Sequence, residues 1–173
     1  GQITTTDLTI SLPPTLNFEP FGGYSKIAAV ERHHNTGKIG VAVAKGYGIR
    51  NGAVASSVSH DSHNIIVIGD NDVDMAIAVN EIIRTQGGYT VVENGKVYET
   101  LALPIMGLMS DVGFENVNEA LQRMIQKAHQ MGVASQIDPF VTLSFLALPV
   151  IPELRITPRG ICKMTAKGPA ILS

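Results

Sequence analysis

The sequence has one cysteine, few charges and no long apolar run. A single cysteine, Cys162, in 173 residues rules out an internal disulfide and a Cys-rich zinc site. It fits a reducing, cytoplasmic compartment. Charged residues make up only 16% of the chain, and 13 Lys and Arg against 15 Asp and Glu leave a formal charge of -2. Without a basic excess or a Lys/Arg run there is no generic attraction to nucleic acid. No apolar stretch reaches the ~18 residues that a membrane helix needs. The nearest, 140–151, is short and contains Pro149, so no membrane partner is expected. Residues 1–12 carry Thr, Asp and Gln throughout and show no leader segment.

What is present is a buried kind of composition. Apolar residues reach 45%, well outside the disordered regime, and 173 residues suffice for one domain with a sizeable core. Alternating apolar and polar residues predict a strand over 5–12, ended by Pro13-Pro14. Further strands are predicted over 26–32, 39–44 and 53–58. Residues 64–68 are β-branched and apolar on both faces, which predicts an interior strand. Asp70, Asn71 or Asp72 can cap a following helix over 73–86. Its apolar residues cover most of the circumference, so the helix is expected to be largely buried. Gly87-Gly88 ends it. Residues 89–103 predict a hairpin turning at Asn94-Gly95, a pair suited to a type I′ turn. A second helix is predicted over 116–131, with Asn116 and Glu119 spaced as a capping box. Residues 140–148 form another buried apolar run, and 154–167 hold two short extended pieces around Pro158-Arg159-Gly160. Strands joined now by helices, now by hairpins, give an α+β class: a mixed, mostly antiparallel sheet with packed helices, in one domain.

The densest polar stretch is His60-Asp61-Ser62-His63-Asn64, at the mouth of the predicted interior strand. It permits three readings. His60-x-x-His63 has the spacing of a metal pair, with no third or fourth ligand apparent. A loop can also use His and Asp to satisfy its own backbone. The third is general acid/base chemistry, because histidine titrates near neutral pH and a neighbouring carboxylate can fix its tautomer. Loops at strand ends are where α/β scaffolds place chemistry. Elsewhere, His33-His34 reads as a surface turn. Asp70-x-Asp72-x-Asp74 lacks the glycine and distal glutamate of a calcium loop, and capping explains it more simply. Met106, Met109 and Met131 suggest core or interface packing.

The run from Ser59 to Gly69, with Asp72 and residues 75–80 behind it, resembles the C-terminal domain of bacterial adenine deaminases. So do Val30-Glu31-Arg32-His33, Gly48, Asn51-Gly52-Ala53, Gly87-Gly88, residues 103–110 and Leu154-Arg155-Ile156-Thr157. The resemblance implies a part of an amidohydrolase that converts adenine and water to hypoxanthine and ammonia. It also implies an iron or manganese centre whose ligands lie on a (β/α)₈ barrel preceding this segment. The chain has no His-x-His barrel motif, and a complete barrel takes about 250 residues. No complete TIM barrel, and no metal ligand, is therefore expected within it. On this resemblance His60, Asp61 and His63 are the candidate catalytic residues, and Ser62 and Asn64 are candidates for binding substrate. The implied partners are the amidohydrolase barrel of the same protein, adenine, and further copies in a homo-oligomer. The alternative is a non-catalytic interaction or oligomerisation domain.

Overall fold

The computed structural model describes residues 18–172. The strand predicted over 5–12 lies outside them. Within the described residues the order of elements is β1 (Tyr24–Val30), β2 (Ile39–Lys45), β3 (Gly52–Ser56), β4 (Ile65–Gly69), α1 (Asp72–Arg84), β5 (Gly88–Glu93), β6 (Lys96–Ala102), α2 (Phe114–Gln130), α3 (Pro139–Leu146), β7 (Leu154–Thr157), β8 (Gly160–Thr165) and β9 (Gly168–Ile171). The first six strands form one sheet in the order β2-β1-β4-β3-β5-β6, and the last three form a second. Every ladder is antiparallel. The class is α+β, and among the described residues no barrel closes.

β4 lies inside the large sheet, paired to β1 on one side and β3 on the other. All five of its residues are buried. Its two faces feed two separate cores. Ile66 and Ile68 join α2, α3 and the small sheet, whereas Ile65 and Val67 pack with Met75, Ala78 and Ile82 of α1. Successive side chains of a strand point to opposite faces, so a strand with no polar alternation needs a layer on each side. Truncating Ile66 or Ile68 to Ala is expected to cost about 2–5 kcal/mol.

α1 starts where Asn71 caps it, the Asn71 side chain accepting from the Asp74 N–H. The expectation that this helix is largely buried is not met. Met75, Ala78 and Ile82 are buried, but Val73 is 66% and Ile83 58% exposed. α1 is the sole helix among the described residues packed on its face of the sheet, against β3, β4, β5 and β6. Among the described residues no second layer reaches its outer side. The 89–103 hairpin turns at Asn94-Gly95, both at positive φ, as a type I′ turn requires.

α2 begins at Phe114, two residues before the predicted start. Gly113 occupies the N-cap without a side-chain bond. Asn116 makes no capping box, because its amide donates to the Val112 carbonyl instead (2.7 Å). Ala120, Met124 and Ala128 are buried, with Val117, Leu121 and Ile125 packed beside them, so one stripe of the helix faces the core. The apolar run over 140–148 folds as α3. Asp138 caps it through the Phe140 and Val141 N–H groups, and Pro139 supplies a first-turn residue that needs no donor. No helix of the described residues is long and apolar enough to cross a membrane.

Candidate functional site

Antiparallel pairing brings distant stretches to one end of the large sheet. The end of β1 leads into the 31–37 loop and the end of β3 into Ser57-Val58-Ser59. At the same end the 60–64 loop enters β4 and β6 runs out into the 103–110 segment. The acidic cluster sits at the opposite end, where it is consumed by the fold. Asp70 accepts from the Asn51 and Gly52 N–H groups (2.5 and 2.9 Å). Asp74 accepts from the Gly95 N–H (2.6 Å), and Asp72 pairs with Lys26 (2.5 Å). Carboxylates engaged in this way are staples, and among the described residues no group of three or more His, Cys, Asp or Glu is placed to hold a metal.

Arg32 organises the end that carries the histidines. Its backbone N–H donates to Asn64 Oδ1 (3.1 Å). Its guanidinium donates through Nε to the His63 carbonyl (2.9 Å) and through Nη2 to the Met106 carbonyl (3.1 Å). The guanidinium also lies against Gly107, where a Cβ would stand 2.4 Å from Nη1; Gly107 is at φ 75°, so glycine meets both demands. From the other side the buried Ser57 hydroxyl donates to the Gly107 carbonyl (2.6 Å) and accepts from the Gly88 N–H (2.8 Å). Two loops far apart in sequence thus become one fixed surface.

Within the 60–64 loop, backbone and side chains divide their work. The His63 N–H donates to the Ser59 carbonyl (2.7 Å), the Ser59 hydroxyl to the Asn64 carbonyl (2.7 Å), and the His60 N–H to the Ser144 carbonyl of α3 (3.2 Å). The Ser62 carbonyl accepts from His33 Nε2 (2.6 Å). A carbonyl only accepts, so that imidazole carries its proton on Nε2. The His60 ring lies 5.2 Å from the Phe145 ring and 6.2 Å from that of His63. Asp61 is 85% exposed, with Oδ1 3.8 Å from His60 Nδ1, beyond hydrogen-bond reach. Ser62 also faces solvent, whereas Asn64 is buried.

The electrostatics favour a neutral His63. Burial lowers its pKa from the ordinary 6.5, and the neighbouring His60 and Arg32 act in the same direction. Its Nδ1 is buried without a hydrogen-bond partner. A neutral imidazole offers one donor and one acceptor. Beside the loop, Glu31 is held at a pKa of about 2, chiefly by the Thr36 N–H, with those of His34 and His33 adding to it. Those bonds fix the 33–36 turn (2.6 to 3.1 Å). The structure therefore brings His60, Asp61, Ser62 and His63 to one exposed loop, with His33 alongside, and sets Asn64 beneath it.

A family model described as the adenine deaminase C-terminal domain matches residues 2–167. The chain belongs to that family. It is similar to the adenine deaminase of Desulfitobacterium hafniense, with 51% identity over 93% of the chain and 28% of the relative. The Clostridium acetobutylicum adenine deaminase is 53% identical over 80% of the chain and 25% of its own length. That of Bacillus subtilis is 43% identical over 93% and 28%. The chain thus spans about a quarter of the length of these relatives and corresponds to their C-terminal part.

In this adenine deaminase C-terminal domain, the stretches that carry the family resemblance fall at both ends of the sheet. Val30 to His33, Gly87-Gly88, the run from Ser59 and the 103–110 segment meet at the histidine end. Asn51-Gly52 and Asp72 serve the opposite end. Arg32 drew attention only as part of the resemblance. Its partners are backbone carbonyls 31 and 74 residues away, which no local pattern announces.

Proposed function

We propose that this domain is the C-terminal part of an adenine aminohydrolase, and that its 60–64 loop borders the purine site of the intact enzyme. The observation that supports this most directly is the division within the loop. Its backbone and Asn64 are tied into the fold and the His60 ring rests half-exposed against Phe145, while the Asp61 and Ser62 side chains are presented outward. Adenine offers ring nitrogens as acceptors and an exocyclic amine as donor, and a set of His, Asp and Ser can meet both. In the overall reaction water adds at the amine-bearing carbon, the C–N bond breaks and ammonia leaves. The iron or manganese that the resemblance implies belongs, on this reading, to the N-terminal portion and supplies the activated water. The described residues of this chain show no place for it. Their part is to hold the purine, exclude water and pass a proton toward the departing amine through His60 or His63. The setting is reducing and cytoplasmic, in keeping with the single, buried Cys162.

A second reading, an oligomerisation domain, draws on a different surface. Val73 and Ile83 leave the outer side of α1 apolar and uncovered. The test compares the full-length polypeptide with the 173-residue chain. Ammonia release from adenine is expected from the full-length protein and not from the chain alone, with or without added manganese or iron. A full-length protein that leaves adenine untouched would overturn the proposal, as would metal-dependent turnover by the chain alone.

A further inference from the structure

The segment after β6 is both rigid and apolar where it meets solvent. Ile105 and Met109 bond to each other in both directions (3.2 Å each), and the carbonyls of Met106 and Gly107 are gripped by Arg32 and Ser57. On this fixed frame Met106 is 77% exposed, with Ile105 and Met109 also well exposed, and just beyond it stand Val112 and, at the start of α2, Phe114, 79% exposed. A mobile loop could fold such side chains away; this one is held so that they stay out. Five exposed apolar side chains within residues 105–114 are the kind of surface that partners cover.

We infer that the knob formed by Ile105, Met106, Met109, Val112 and Phe114 is the docking surface for the N-terminal portion of the same polypeptide. The inference rests on the reading of the chain as the C-terminal part of a longer adenine deaminase. Two observations select that occupant over a second copy. About three-quarters of the relatives' length lies outside the matched region. The knob is also continuous, through Arg32, with the 60–64 loop, binding Met106 on one side and His63 on the other. A portion seated on the knob would lie against the histidines, and the clamp would set the distance between the two.

Methionine oxidation reads this directly, because a thioether reacts with peroxide only where reagent reaches it. In the 173-residue chain Met106 and Met109 are expected to oxidise quickly and the buried Met75 and Met124 slowly. In the full-length protein Met106 and Met109 should lose most of that reactivity. A Met106→Asn, Phe114→Asp double variant should restore it at Met109. Both changes suit their sites: asparagine tolerates the positive φ of residue 106, and an acid in the first turn of α2 favours the helix. The chain carrying them should melt as the parent does. Equal oxidation of Met106 and Met109 in chain and full-length protein would overturn the inference. Protection in the chain alone that rises with its concentration would do so too, by assigning the knob to a second copy. So would a double variant of the full-length protein that keeps Met109 protected. Ammonia release from adenine, assayed on the same full-length sample, reports the proposed function separately.

Discussion

The side-chain oxygen of Asn64 is taken by the backbone N–H of Arg32 at 3.1 Å. The bond lies just beyond the last pair of the β1–β4 ladder, Val30 and Ile65, and holds the two strands together there. Asn64 is therefore a structural residue first, whatever its amide nitrogen does. Replacing it by Ala leaves a partly buried N–H without a partner, and the expected loss is about 1–3 kcal/mol. Urea denaturation of the chain measures it. An unchanged midpoint would show that the bond adds nothing to stability.

The outward-facing members of the loop should behave differently. Asp61→Ala touches an exposed side chain with no hydrogen bond to His60, and such changes usually stay within ±0.5 kcal/mol. In the full-length enzyme His60→Ala, Asp61→Ala and His63→Ala are expected to lower kcat/KM, by about 10²–10⁴-fold where acid/base chemistry is lost. Metal content should hold, and so should the melting temperature of Asp61→Ala. If all three keep near-normal turnover, the loop is scaffolding and the oligomerisation reading gains.

His63 gives the domain a pH dependence with a defined sign. Its folded pKa lies below the ordinary 6.5, mainly through burial. As pH falls, the unfolded chain takes up this proton first, so stability drops once pH passes below 6.5 and continues to fall toward the folded value. Above 6.5 the contribution is constant. His63→Asn removes the titration while suiting a backbone at φ 50°. Denaturation midpoints between pH 8 and 5 should decline less steeply for that variant. Identical slopes would show that other groups carry the acid sensitivity.

Gly107→Ala places a Cβ 2.4 Å from Arg32 Nη1 and on a left-handed backbone. The strain should cost about 1–3 kcal/mol, and it should loosen both loops at once. Hydrogen exchange is expected to speed up at 105–109 and, through Arg32, at 63–64. Faster exchange confined to 105–109 would mean that the guanidinium does not couple the loops.

Much of the architecture was legible because its signals are local. β4 announced itself by its β-branched run, the 88–102 hairpin by Asn94-Gly95, and α1 by its cap. α3 was ambiguous, since an all-apolar octet has no period to read. Asp138-Pro139 was the available clue, a cap followed by a first-turn proline. β9, four residues with Pro169 among them, leaves no pattern at all. The start of α2 was misplaced because Asn116 has the chemistry of a cap and spends it on the Val112 carbonyl. At the site, the 60–64 string was visible as a string. Its division into buried support and outward display was not, because that depends on bonds from Arg32 and His33, some 30 residues earlier, and from α3, some 80 later.

β4 has a further consequence. Isoleucine and valine line both of its faces, so a slip of one residue would exchange like for like in either core. Hydrophobicity cannot choose the register here, although a one-residue slip ordinarily turns a strand inside out. The choice falls to the two ends. Asn64 is locked to Arg32 at the entrance. At the exit Gly69 occupies a place where a Cβ would come within 2.6 Å of Met75, and Asp70 is bound to Asn51 and Gly52. The polar residues around this strand act as the stops that keep a featureless ruler from sliding, and the position of every side chain in the 60–64 loop is set by them.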